Sequence, residues 1–173
     1  MNFTRELFRT APPNGRALVE LAGDGRRRQW TFAQLRRATE ALAGALHARG
    51  LRQGDVVLTL IGNRPEWAIT MLACFRQGYV VLPCTEQLRP KDLALRLEVA
   101  QPRLIVADPR NAELLGDVDA LYLPFPAAPA PPPAELRPDD PCLITFTSGT
   151  SGAPKAVVHG QRYLTGQWLQ ATH

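Results

Sequence analysis

Apolar residues recur along this chain in two alternating rhythms. "VVLTLI" at 56–61, "YVVLP" at 79–83 and "LIVA" at 104–107 are short, nearly unbroken apolar runs. Such runs predict strands covered on both faces. The segments between them carry helical spacing. Thr31 and Gln34 have capping-box separation, and Leu35, Leu42 and Leu46 follow at near-helical intervals, with Gly50 placed to end the helix. A second helix is expected from an Asn63 cap, with Pro65 in its first turn and Glu66 three residues on, running to about Gln77 and stopping at Gly78; Trp67 is assigned to its packing. Pro90 opens a third, with Leu93 and Leu97 on one face. "NAELL" at 111–115 reads as a short helix and "ALYL" at 120–123 as a fourth strand. Ahead of all these, "ALVELAGDGRRRQWTF" at 17–32 reads as a hairpin around a Gly-Asp-Gly turn.

Strand and helix therefore alternate through residues 1–123. That order predicts an α/β fold with a doubly wound, mostly parallel sheet. Residues 124–141, "PFPAAPAPPPAELRPDDP", break the rhythm: eight of the eighteen are proline, which cannot donate to a sheet ladder and favours an extended chain. They read as a semi-rigid surface connector, with Asp139 and Asp140 capping or solvating it. Residues 142–173 then supply a strand, a loop, a second strand and the start of a helix.

Composition narrows the classes. The net charge is +4, but the arginines are scattered except at 26–28, where no aromatic residues are interleaved for base stacking. No nucleic-acid partner is expected. No apolar run approaches the ~18 residues of a membrane span, and "MNFTRELFRTAPP" is charged where a leader would be apolar; a cytoplasmic location is expected. Cys74, Cys84 and Cys142 are widely spaced and read as small buried apolar residues rather than metal ligands or a disulfide framework. His47 reads as a helix-surface residue and His159 as structural, though close enough to the loop to approach a substrate.

The candidate chemistry lies in "CLITFTSGTSGAPKAVVHG" at 142–160. An apolar strand leads into Thr147, Ser148, Gly149, Thr150, Ser151 and Gly152: four hydroxyls and two glycines in six positions. Glycines let successive peptide N–H groups turn towards one point, which forms an anion-binding concavity, and the hydroxyls add rotatable donors. Pro154 stiffens the exit. Lys155 then sets a compact cation beside the loop. The chain has eighteen arginines and two lysines, so a lysine here suggests that a point charge is wanted. Composition alone also fits a plain flexible loop. The strand before it, the Pro-Lys ending and the immediate return of "AVV" argue for a framed site. The pattern is not a G-x-x-x-x-G-K-[ST] P-loop, since Pro154 and Ala156 stand where glycine and a hydroxyl are required.

"TSGTSGAPK" at 147–155 resembles the phosphate-binding signature of the adenylate-forming, AMP-binding enzymes. "WTFAQLRRATEALAGALHARGLRQGDVV" and "GNRPEWAITMLACFRQGYVVLPCTEQLRPKDL" resemble their N-terminal region, the latter especially the medium-chain acyl-CoA synthetase branch. The resemblance implies the N-terminal subdomain of the adenylate-forming synthetase fold, truncated. It also implies a reaction of ATP, Mg²⁺ and coenzyme A with a small carboxylic acid. Carried over by position, Thr147, Ser148, Gly149, Thr150, Ser151, Gly152 and Lys155 grip the β- and γ-phosphates, with Lys155 and Thr150 as the catalytic candidates. Many members have glycine where Ala156 stands. The adenine, ribose, Mg²⁺ and coenzyme A contacts are implied to lie beyond His173, so the chain alone is not expected to turn over. Completion by the remainder of an enzyme, or by a second copy, is the implied partnership. A truncated or split nucleotide-binding module is the alternative. A non-functional remnant, exposing Trp168 and Leu169, is the third reading.

Overall fold

The computed structural model describes residues 1–147 and 154–171, with 168–171 described by backbone alone. Six helices and eight strands follow in order: α1 Phe3–Thr10, β1 Arg16–Leu21, β2 Arg27–Thr31, α2 Phe32–Ala48, β3 Val56–Leu60, α3 Pro65–Gln77, β4 Val80–Cys84, α4 Pro90–Ala100, β5 Leu104–Ala107, α5 Ala112–Leu115, β6 Ala120–Tyr122, β7 Pro141–Thr147, β8 Lys155–Gly160 and α6 Gln161–Ala171. A 3-10 turn, Pro109–Asn111, precedes α5. β1 and β2 form the expected antiparallel hairpin. The other six strands make one sheet in the order β6-β5-β3-β4-β7-β8, parallel except for β8 at its edge.

The period-2 alternation of strand side chains divides the core in two. Val57, Val81, Leu104, Val106 and Leu121 face α1, α2 and α3. Leu58, Leu60, Leu82, Ile105 and Ala107 face α4 and α5. Every residue of β5 is buried, as its unbroken apolar run requires. β4 and β7 are joined by a single register pair, Val81 with Leu143. The cysteines are free and buried; burial pushes Cys84 and Cys142 up to about 11 and Cys74 higher still.

Sequence and structure agree on the caps of α2. Thr31 Oγ1 accepts from the Gln34 amide at 3.2 Å and the Thr31 amide donates to Gln34 Oε1 at 2.8 Å. Gly50 adopts φ +82° just past the helix end. α3 departs from expectation. Arg64, not Asn63, is its cap, in extended conformation and without a side-chain bond. Pro65 at the first helical position supplies the pre-set φ that makes a side-chain cap dispensable. Trp67 is 39% exposed rather than packed, because the buried side of that turn is taken by Pro65 and Ile69. No element was expected before residue 17, yet Asn2 caps α1 and its side chain is fully buried.

The proline-rich segment is more than a surface connector. It begins with a cis Leu123–Pro124 bond, crosses α2 and runs along the end of α3. Its carbonyls, free of any ladder, act as acceptors. Pro131 O takes Arg76 Nη1 at 2.6 Å, and Ala134 O takes Asn2 Nδ2 at 2.9 Å. The Ala134 amide returns a bond to Arg76 O at 2.9 Å. Phe125 and Ala130 pack on the core, and Leu136 is buried. Asp140 accepts from the Arg137 amide at 2.7 Å, which holds its carboxyl below the usual range, and Asp139 pairs with Arg162.

Gly44 is where the segment lies closest to α2. A Cβ there would strike the Ala128 carbonyl and sit 2.6 Å from Pro129 O. Alanine in a free helix stabilises by about 1 kcal/mol relative to glycine. At this position the obstacle is backbone, which cannot swing aside. Gly44→Ala is therefore expected to destabilise by about 1–3 kcal/mol, measured by denaturant unfolding. A stabilised variant would show the segment to be loosely held.

Candidate functional site

β7 and β8 form an antiparallel hairpin whose last register pair is Thr147 with Lys155. Cross-strand partners share a face, so one face carries, from base to mouth, Leu143 with His159, Thr145 with Val157 and Thr147 with Lys155. At the base this face turns towards the α1–α3 side, where Leu143 is buried. The opposite face carries Ile144 and Phe146 towards α4, where the Arg96 guanidinium lies 4.7 Å from the centroid of the Phe146 ring.

At the mouth, Thr147 Oγ1 lies 3.5 Å from Lys155 O. Both residues are exposed, and among the described residues no carboxylate pairs with Lys155. The structure thus brings together the first and last residues of the predicted phosphate loop. Ser148, Gly149, Thr150, Ser151 and Gly152 lie outside the described residues. His159 is half-buried: its Nε2 is 3.1 Å from Thr145 Oγ1, and its ring sits 4.3 Å from that of Tyr163.

A second polar cluster caps the carboxyl ends of β3, β4 and β5. The Arg110 Nε donates to Glu86 Oε1 at 2.8 Å, and its Nη2 makes a second bond to the same carboxylate. That hydrogen bond, then the attraction between the charges, raises the Arg110 pKa. Asn111 Nδ2 donates to Leu60 O at 3.0 Å and to Glu86 Oε1 at 2.9 Å. Arg64 pairs with the buried Asp108, which also accepts from the Arg110 amide at 3.1 Å. Beside the cluster is a crevice of about 320 Å³ lined by Gly62, Asn63, Trp67, Thr85, Glu86 and Gln87. β3 leads into a helix on one sheet face while β4 and β5 lead into helices on the other, so this is the place where the winding reverses and where open α/β sheets form ligand crevices.

The family profile described as "AMP-binding enzyme" matches residues 7–172. The chain belongs to the AMP-binding enzyme family. It is 32% identical over 176 residues to the rat protein named acyl-coenzyme A synthetase ACSM5, mitochondrial, an alignment covering 87% of this chain and 30% of that one. It is 29% identical over 153 residues to the uncharacterized acyl–CoA ligase YtcI of Bacillus subtilis (strain 168), covering 78% of this chain and 29% of that one. Among solved structures, a Brucella canis acyl-CoA synthetase superposes with TM-score 0.83 at 25% identity, over 96% of this chain and 34% of that one. The Klebsiella oxytoca NpsA N-terminal subdomain, in complex with 3-hydroxybenzoyl-AMSN, superposes with TM-score 0.75 at 27% identity, over 92% and 40%. The chain thus spans about 30% of the length of the curated relatives it matches. Its sheet is that of the N-terminal subdomain of adenylate-forming enzymes.

Sequence reasoning does not point to the β3–β5 cluster of this AMP-binding-family member. A positional signal for it exists: Gly62, Glu86, Asp108 and Arg110 each fall within three residues after the end of a buried parallel strand. A Cβ on Gly62 would collide with Glu86 Oε2 and come 2.7 Å from Arg110 Nη2. Here the obstacles are side-chain tips, and Arg110 is 61% exposed, so the pair can swing away. Gly62→Ala is expected to cost no more than ~1 kcal/mol in thermal unfolding while displacing the Arg110 fork from Glu86. A larger loss would show the pair to be rigidly seated.

Proposed function

We propose that this chain carries the ATP phosphate-gripping part of an AMP-forming acyl-CoA synthetase of the medium-chain type. The observation behind the reading is the hairpin mouth. "TSGTSGAPK" is bounded by two directly paired residues, and its terminal lysine is exposed with no described acid beside it. That geometry suits a polyphosphate. The exposed Lys155 ammonium offers a point charge, Thr147 offers a hydroxyl at the rim, and the glycine and hydroxyl content of 148–152 supplies further donors.

In the proposed reaction a carboxylate oxygen attacks the α-phosphorus of ATP. The bond to the β-phosphate bridging oxygen breaks, giving an acyl-adenylate and pyrophosphate. The sulfur of coenzyme A then attacks the acyl carbon, loses its proton, and AMP departs with the shared oxygen. Charge grows on the departing pyrophosphate in the first step, so donors fixed on the β- and γ-phosphates stabilise that transition state more than the ground state. Lys155, Thr147, Thr150 and Ser151 are the residues assigned to that task. Mg²⁺ enters with ATP, held by its phosphate oxygens. The carboxylic acid and coenzyme A are the remaining small-molecule partners.

The test is MgATP binding by calorimetry to residues 1–173, with Lys155→Ala and Thr150→Ala beside the parent. The parent is expected to bind. Each variant is expected to bind roughly tenfold more weakly, the scale of one charge-assisted hydrogen bond. Equal affinity in all three would overturn the phosphate assignment. Pyrophosphate release from ATP with butyrate, octanoate or benzoate is expected to stay at background for residues 1–173 alone. Binding without release is also what a nucleotide-binding or split-enzyme module would give; turnover restored by the rest of a synthetase chain selects the enzyme.

A further inference from the structure

Lys155 and Thr147 must be aimed as well as present, and the hairpin that carries them lies at the border of the sheet. β8 has β7 as its one sheet neighbour, and Lys155, Ala156, Val157 and Val158 are all exposed. Among the described residues, His159 is the one β8 side chain hydrogen-bonded to another side chain. It reaches across the hairpin to Thr145 and packs against the ring of Tyr163, tilted 36° to it, in the first turn of α6. One residue thereby ties β7, β8 and α6 together. Leu164, next to Tyr163, is buried in the core that α1, α2 and α3 cover, so the stacking partner is itself anchored.

We propose that His159 is a positioning residue for the phosphate loop, acting through Thr145 and Tyr163 to fix the direction in which Thr147 and Lys155 project. The proposal rests on the reading of residues 147–155 as that loop. His159, Thr145, Thr147 and Lys155 occupy one face of the hairpin at alternate positions. A rotation of the two strands about each other at His159 is therefore delivered to Lys155, four residues earlier in β8 at the mouth, with no polar side-chain tie on β8 in between. The Thr145 hydroxyl can donate or accept, so it can bond neutral imidazole in either tautomer and imidazolium alike.

Three variants separate the contacts. His159→Phe keeps a ring against Tyr163 and removes the bond to Thr145. Thr145→Val removes the hydroxyl at nearly constant shape. His159→Gln restores a polar group able to reach Thr145. Hydrogen exchange of the Ala156, Val157 and Val158 amides tests the tie without nucleotide. His159→Phe and Thr145→Val are expected to speed exchange by about 3- to 10-fold, the scale of one net hydrogen bond, with His159→Gln near the parent. Calorimetry with MgATP tests the aiming. The first two variants are expected to bind about 3- to 10-fold more weakly at matched thermal stability, and the Thr145→Val/His159→Phe double variant no more weakly than either single one. Unchanged exchange overturns the tie. Faster exchange with unchanged MgATP affinity, or additive losses in the double variant, overturns the aiming. A parent that fails to bind MgATP overturns the phosphate reading, and the aiming with it, while the exchange result still decides whether the tie exists.

Discussion

A parallel sheet covered on both faces has nowhere to put chemistry except at the ends of its strands. β3, β4 and β5 are buried along both sides, by α1–α3 on one and by α4 and α5 on the other. Polar groups inside would need partners that neither layer supplies. The charged and hydroxyl residues accordingly gather where strands stop: Arg64, Glu86, Asp108 and Arg110 at the carboxyl ends of the parallel strands, and Thr147 and Lys155 at the mouth of the border hairpin. Both candidate regions are consequences of the same covering. The sheet holds them steady because its own interior is chemically idle.

Much of this was legible from local pattern. The apolar runs at 56–61, 79–83 and 104–107 read as strands, and they are β3, β4 and β5. The Thr31–Gln34 spacing fixed the start of α2 because a capping box is a contact between residues three apart and needs no tertiary information. The nine-residue motif was legible for the same reason, and its ends do meet as register partners. What escaped was set by distance in the chain. Asn2 caps α1 and also donates to Arg76 O and Ala134 O, seventy-four and 132 residues away. Glu86, Asp108 and Arg110 converge only once three strands lie side by side. Asn63 looked like a cap by type, but Pro65 moved the helix start to leave Arg64 in that place.

The proline-rich segment shows how composition can mislead about burial. Proline lacks an N–H, which removes it from ladders, but its carbonyl remains a good acceptor. Arg76 and Asn2, both buried or nearly so, use such carbonyls and their neighbours to satisfy donors that would otherwise be stranded. Gly44 lets the backbone of α2 approach that segment closely, and Leu136 drops into the core beyond it. The connector therefore carries the chain from β6 to β7 along a fixed route, and β7 enters the sheet beside β4 from a defined direction.

Between β4 and β7 the ladder is short, with one register pair where β3 and β4 share five. A beam bends at its narrowest section. Twisting applied at the tip of the β7–β8 hairpin would reach β3, β4 and β5 only through this short ladder. The two strands of the hairpin share six register pairs, so a tilt about this seam would carry Thr147 and Lys155 together.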